Sequence, residues 1–249
     1  MLLRRITKHV KDQNWFAVGL DFLIVIVGVF IGLQVANWNE TRQERFKEDH
    51  YLERLDEEMD VIRSRLIRGA EALEGSVRNI ELLLDVRRRY DADPGAELPT
   101  NSVLSAAAYG AANGAVPAGS PTAFQEMVAS GSLEVLTNEK LRQALFAYDE
   151  YAAINRSAWR TLRSGQSDAQ NRITGLVDVV VPEDLSDLPV AQETVSPQGA
   201  FETQEFLEAT NVPKDLRVLF TSQGNQLALF QRQLALAESI ETIIAESRE

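Results

Sequence analysis

The sequence contains no cysteine and only two histidines, His9 and His50. Disulfide bonds, thiolate nucleophiles and thiolate metal sites are therefore excluded. The two histidines lie on either side of a long apolar segment, so we expect no Ser-His-Asp arrangement. Zinc would need several carboxylates around a single histidine, which is uncommon, and we predict no metal, cofactor or catalytic residue.

Positive charge is also scarce after the N-terminal segment. The formal net charge is -12, and residues 37–249 hold 21 Lys and Arg against 35 Asp and Glu. The phosphates of nucleic acid would repel such an acidic domain, so no nucleic-acid partner is predicted. Acidic pairs such as Asp149 and Glu150 could serve carboxylate catalysis, so a cell-envelope enzyme that acts on glycan is the least favoured of three hypotheses. Charges on a striped helix normally form its solvated face, so we predict that the protein is not an enzyme.

A long apolar run extends over residues 15–35, and Asp21 is its only ionisable residue. Trp15 and Trp38 lie 23 residues apart, which corresponds to about 34 Å of helix, close to the hydrocarbon thickness of a bilayer. Tryptophan prefers the headgroup level. A core helix is rarely apolar on every face, and no suitable signal-peptidase site follows the run. We therefore predict a retained transmembrane helix over residues 15–38.

The residues that flank this run predict its orientation. Residues 1–14 carry four basic residues against one acid, whereas charges of both signs alternate after the run. The positive-inside rule places the basic flank in the cytoplasm. We predict an anchor in the inner membrane of a bacterium, with residues 39–249 in the periplasm. The basic residues are Arg4, Arg5, Lys8 and Lys11.

Small and polar residues interrupt the apolar run. Gly28 and Gly32 form a GxxxG step and Ala36 continues it, which allows a second helix to approach closely. Asp21 and Gln34 are costly in a bilayer and could bond to that helix. The partner would be another membrane protein or a second copy of the chain. Alternatively, the glycines have no partner and Asp21 reaches the membrane interface.

The same segment resembles the N-terminal anchor of an uncharacterised family of single-pass bacterial membrane proteins. An acid seven residues before glycine, then Leu-Gln-x-x-Asn-Trp-Asn-Glu at residues 33–40, carries the resemblance. Family members usually have Glu where this chain has Asp21, and often Ala where it has Gly32. A second similar patch covers residues 124–145. The resemblance implies a bacterial membrane anchor and brings no activity with it.

Beyond the apolar run, the pattern predicts an all-α domain. Residues 39–90 form a long helix that Asp93-Pro94-Gly95 ends. Thr137 caps a second helix, which ends near Arg172 with a possible break at Gly165, and a third begins at Pro213. Their similar lengths and striped faces predict one antiparallel bundle. The predicted first stripe comprises Leu52, Leu55, Met59, Ile62, Leu66, Leu73, Ile80 and Leu83, with Gly69 and Ser76 at two weak positions; the second Leu141, Leu145, Tyr148, Tyr151 and Ile154, with Trp159 and Leu162; the third Leu216, Phe220, Leu227, Phe230, Leu234, Ile240 and Ile244.

The connecting segments are predicted to be short and irregular. Residues 102–112 could form a small-residue helix, 110–119 a loop, and Pro121 could begin a helix that ends at Gly131. Residues 176–181 are β-like, 182–200 read as an acidic loop, and 201–209 could form a short helix.

Four aromatic residues of the second long helix lie near the small-residue segment 102–119: Phe146, Tyr148, Tyr151 and Trp159. They could line a ligand pocket, or they could be ordinary core, which we favour. The leading hypothesis is therefore an assembly or accessory subunit that binds membrane proteins through its anchor and its bundle. The alternative is a periplasmic ligand-binding or sensor module that signals through a separate partner, because residues 1–14 are too few for an output domain.

Overall fold

The computed structural model describes residues 15–178 and 200–248, with side chains described from Gly19 onward. The predicted all-α class is confirmed. The described residues contain six α-helices and one 3₁₀ turn, and their only β-pairing is an isolated bridge between Val177 and Phe201. The basic residues 1–14 and almost all of the predicted acidic loop lie outside the described residues. The helices are α1 (Trp15–Ala92), α2 (Asn101–Ala111), α3 (Thr122–Ser130), α4 (Glu139–Thr174), α5 (Thr203–Glu208) and α6 (Val212–Ser247), with the 3₁₀ turn at Leu133–Val135.

The chain divides into two compact units, Met1–Tyr51 and Leu52–Glu249. In the first unit, the described residues belong to α1, and residues 19–47 are exposed throughout. Among the described residues, α1 is the one helix that is long and apolar enough to cross a membrane. Its apolar part lies near the N-terminus, where we predicted a membrane span.

In the second unit, α6 runs antiparallel to α4. Near one end, Asn138 of α4 donates a hydrogen bond to Ser247, and near the other end Arg172 pairs with Asp215. From one end of this helix pair to the other, residue numbers therefore rise along α4 and fall along α6.

The helix α6 is also antiparallel to residues 52–92 of α1. Asp56 accepts a hydrogen bond from Arg248, and Glu241 accepts one from Arg63. It follows that α1 and α4 point in the same direction. The chain must therefore return along the bundle between them.

A broken helix makes this return. The α2 helix, a loop of residues 112–121 that we call the connecting loop, and α3 run back along α1. Ser76 donates to the carbonyl oxygen of Ala111 at 2.9 Å, and Glu58 accepts from the backbone N–H of Ala123. The bundle thus has four legs in alternating directions, and the second leg is irregular in its middle.

The stripe predicted for α1 is confirmed, because all eight of its apolar residues are buried. Ser76, which fills a weak position of the stripe, is also buried. The helix ends at Ala92, where Asp93 accepts a hydrogen bond from the N–H of Gly95 in a turn. The predicted stop at Asp93-Pro94-Gly95 is therefore confirmed.

After residue 120, two of the predicted helix boundaries are confirmed and two predictions are wrong. Pro121 precedes α3, and Gly131 ends it in the left-handed conformation with φ 70°. Asn138, and not Thr137, caps α4, because the Asn138 side chain accepts from the N–H groups of Lys140 and Leu141. No break occurs at Gly165, since α4 continues to Thr174.

The stripes predicted for α4 and α6 were wrong in their central parts. Ile154 is 52% exposed, Phe220 is 38% exposed, and Tyr151 is only half-buried. Helical periodicity of 3.6 residues continues the buried face of each helix through polar residues instead. Those buried polar residues are Asn155 and Gln166 on α4, and Ser222, Gln223, Gln226 and Gln233 on α6.

Candidate functional site

The apolar part of α1 presents a face of small residues. Gly28 and Gly32 have no other group within 4 Å of the position that a Cβ would occupy. At about 100° per residue, Asp21, Gly28 and Gly32 lie within roughly 40° of one another around the helix. Ala36 lies one turn beyond Gly32 on the same side. We call these four residues the small-residue face.

The second intramembrane polar residue, Gln34, does not belong to this face. It follows Gly32 by two residues and so lies about 200° around the helix from it. We expected Asp21 and Gln34 to bond to one partner helix. By helical geometry, one helix on the small-residue face would meet Asp21 but not Gln34, so a bond from Gln34 to a partner stays a prediction.

Aromatic residues lie near the end of the apolar part of α1. Trp38 is 69% exposed, and Phe46, eight residues further along, is 75% exposed. Phe46 follows Gly28 by 18 residues, about five turns, and therefore points to the same side of the helix. The backbone of Trp15 is helical, while its side chain lies outside the described residues.

The second unit contains a polar region where α4 and α6 face the connecting loop. Gln170 donates to the carbonyl oxygen of Ala112, and Gln223 donates to that of Asn113, both at 3.0 Å. The irregular loop backbone cannot bond to itself as a helix would. Side-chain amides of the long helices therefore supply the donors that its carbonyl groups need.

Gln233 is the centre of this network. Its Nε2 donates to the carbonyl oxygen of Ala118 and to the Tyr148 hydroxyl, both at 3.0 Å, and its Oε1 accepts from Asn155 at 2.7 Å. The Tyr148 hydroxyl in turn donates to the carbonyl oxygen of Gly119. Burial raises the pKa of Tyr148 to about 12.

The four aromatic residues considered for a ligand pocket therefore have different environments. Tyr148 is fully buried core, as favoured. Phe146 is 48% exposed and packs edge-on against Phe124 with ring centroids 5.2 Å apart. Tyr151 borders an open groove between α4 and α6. Trp159 lines a cavity against the connecting loop.

This cavity, which we call the polar cavity, has a volume of about 210 Å³. Residues 112–116 of the connecting loop contribute to one wall, with Trp159, Arg163 and Gln166 on α4 and Gln226 on α6. The Arg163 guanidinium carbon lies 5.2 Å from the centre of the Trp159 ring, which is cation–π geometry. Sequence reasoning missed the two glutamines, because their polarity indicated a solvated surface.

Gln166 and Gln226 are 3% and 1% exposed. Within the described residues, the Oε1 of Gln166 and both polar atoms of the Gln226 amide have no hydrogen-bond partner. Burying such a group without a partner costs about 1–3 kcal/mol. These two amides differ in this respect from Gln233, whose amide is fully bonded.

Ionic contacts elsewhere in the described part of the bundle are structural. Arg172 donates two hydrogen bonds to Asp215 at 2.7 and 2.8 Å, and this pairing lowers the pKa of the Asp215 carboxyl. Over residues 15–178 and 200–248, no three His, Asp or Glu side chains are grouped as a metal site requires.

No family model matches the chain, and no match was found among curated proteins or solved structures. The resemblance of the N-terminal segment to a family of bacterial membrane anchors therefore stays a prediction.

Proposed function

We propose that the protein is a non-enzymatic, single-pass protein of a bacterial inner membrane that serves as an assembly or accessory subunit. The observation that carries the proposal is the apolar part of α1. Every side chain described from Gly19 to Trp38 is exposed, and this run includes large apolar residues such as Phe22 and Phe30. In water such a surface would be a liability, whereas lipid is its natural solvent.

In this proposal the lipid bilayer covers most of the apolar surface, and another transmembrane helix covers the small-residue face. Glycines allow close backbone contact, which gives van der Waals packing its strength in a membrane. Asp21 on the same face would gain a hydrogen-bond partner there. Phe46 extends the contact beyond the apolar run. The partner helix belongs to another membrane protein or to a second copy of this chain.

The membrane location is tested by fractionation of cells that express the full chain. We expect the protein in the membrane pellet after washing with alkaline carbonate, and in the supernatant only after detergent extraction. Release by carbonate alone would contradict an integral anchor. This result would leave a peripheral protein with an exposed apolar helix.

The docking role is tested on the tagged full chain in mild detergent. We expect one stoichiometric membrane partner, or a defined oligomer of the chain itself, in size-exclusion chromatography and mass spectrometry. The double variant Gly28→Leu/Gly32→Leu should lose it, because leucine side chains separate the two backbones. The matched control Val27→Leu/Phe30→Leu alters the other side of the helix and should keep the partner.

A monomer without any partner would contradict the docking proposal. Equal loss of the partner in both double variants would also contradict it, since the effect would then not belong to the small-residue face.

A further inference from the structure

The polar cavity contains hydrogen-bonding groups that the fold does not use. Gln170, Gln223 and Gln233 each donate to a carbonyl oxygen of the connecting loop. Gln226 lies on the same helix as the last two and is equally buried, yet its amide bonds to no described group. Holding the loop therefore does not explain Gln226.

The unused groups share one cavity. Gln226 and Gln166 both line it, so one amide N–H₂ donor and two amide oxygen acceptors are available there. A molecule that satisfies them must carry both a hydrogen-bond acceptor and hydrogen-bond donors. Water can do so, whereas a negatively charged ligand would also use the positive charge at the cavity wall.

Arg163 provides that charge. Its side chain is exposed, its guanidinium carbon lies over the Trp159 ring in the same lining, and it forms no ion pair with any described residue. A guanidinium next to an aromatic ring keeps N–H groups that can bind a carboxylate in a bidentate manner. The indole ring adds an apolar wall for a short carbon skeleton.

We propose that the polar cavity binds a small carboxylic acid that also carries hydrogen-bond donors, of the size and chemistry of a free amino acid. The carboxylate pairs with Arg163 and accepts from the Nε2 of Gln226. The donors of the ligand bond to the Oε1 atoms of Gln166 and Gln226. This inference goes beyond the anchoring and docking role and does not depend on it.

The test is thermal unfolding of the full chain in detergent with single free amino acids, glycolate or acetate at millimolar concentration. We expect at least one amino acid to raise the Tm by about 5 °C near saturation. The amide of that amino acid, which lacks the carboxylate, should give no shift. Isothermal titration should then give one site per chain for the free acid.

Two variants locate the site. Gln226→Leu should fold, because leucine replaces an amide that has no partner, and it should abolish the ligand-dependent shift. Arg163→Gln should weaken binding at least tenfold. The matched control Arg160→Gln, at an exposed arginine one turn earlier on α4, should bind like the wild type.

Absence of a shift with every acid tested would overturn the proposal and leave the cavity as a hydrated part of the fold. A shift that persists in both Gln226→Leu and Arg163→Gln would overturn the assignment to this cavity. Loss of binding in Gln226→Leu and Arg163→Gln, with retention in Arg160→Gln, would support it.

Discussion

The buried amides at the interface of α4 and α6 differ in their hydrogen bonding. Gln233 connects Ala118, Tyr148 and Asn155, so each of its polar atoms is bonded. Gln226, two turns earlier on α6, is equally buried but unbonded among the described residues. The same side chain thus stabilises the bundle at one position and costs free energy at the other.

Gln233→Leu should therefore destabilise the protein by about 2–6 kcal/mol. The substitution leaves the carbonyl oxygen of Ala118 and the Asn155 amide without partners, and each loss costs about 1–3 kcal/mol. Urea unfolding of the full chain in detergent, followed by circular dichroism, measures the difference.

Gln226→Leu is the matched substitution on the same helix. Because it removes a buried polar group without a protein partner, the free energy of unfolding should be unchanged or raised by about 1 kcal/mol. An equal decrease in the free energy of unfolding in the two variants would show that the hydrogen bonds of Gln233 do not stabilise the fold.

The Asp215 carboxyl should make stability depend on pH in the acid range. Hydrogen bonds from Arg172 lower its pKa, and Asn211 and Lys214 add to the effect. A lowered pKa in the folded state stabilises the protein above the unfolded value of about 3.9, and this stabilisation is lost as pH falls below it. Asp215→Asn should cost about 1–3 kcal/mol at pH 7, and the cost should shrink below about pH 4.

Asp85→Asn is the control for this measurement. Asp85 pairs with Arg88 and Arg89 at the surface of α1, where all three side chains are about half exposed or more. Such pairs contribute little, so the variant should match the wild type from neutral to acid pH. A pH-independent cost for Asp215→Asn would show that its ionisation does not stabilise the fold.

Within α1, two glycines only six residues apart have opposite environments. A Cβ on Gly69 would lie 2.4 Å from Phe230 of α6 and 3.2 Å from Ala115 of the connecting loop. Phe230 is 1% exposed and cannot move aside freely. Gly69→Ala should therefore destabilise the bundle by about 1–3 kcal/mol through overpacking, as measured by urea unfolding.

Gly75→Ala tests the same helix without the clash. The nearest atom to its Cβ would be Arg78 Nη2 at 3.9 Å. Alanine is a better helix former than glycine, so this variant should gain about 0.5–1 kcal/mol. Destabilisation by both substitutions would show that close packing on Phe230 does not by itself explain the cost at Gly69.

Prediction from the sequence worked where apolar residues alone define the buried face. The α1 stripe from Leu52 to Leu83 was predictable because only apolar residues, Gly69 and Ser76 occupy it. It failed at Ile154 and Phe220, where the buried neighbours include the amides Asn155 and Gln223. Gln223 bonds to the carbonyl oxygen of Asn113 and Asn155 bonds to Gln233, and both partners are far away in the sequence.

The candidate site was only partly predictable for the same reason. The aromatic cluster pointed to α4 and the small-residue segment, and Trp159 does line the polar cavity. Gln166 and Gln226 come from two helices and gave no local signal. The sequence spacing alone showed the small-residue face of Gly28 and Gly32. That Gln34 lies on another side of the helix follows only when the angle of about 100° per residue is applied.

At the scale of the whole molecule, the lack of cysteine allows a direct test of topology. Single cysteines can be introduced at Thr7 in the basic segment and at Ser157, which is exposed on α4. If residues 1–14 are cytoplasmic, a membrane-impermeant maleimide should label Ser157→Cys but not Thr7→Cys in spheroplasts. Both should be labelled after lysis, and the reverse pattern in spheroplasts would contradict the proposed orientation.

The connecting loop also determines when the protein can finish folding during its synthesis. Its carbonyl groups at Asn113 and Ala118 bond to residues 110 and 115 positions later in the chain. During synthesis the loop therefore leaves the ribosome long before Gln223 and Gln233 have been made. Until then its carbonyl groups lack these hydrogen-bond donors. We expect a chain truncated after Asn211 to be cleaved by protease within residues 112–121, while the full chain resists.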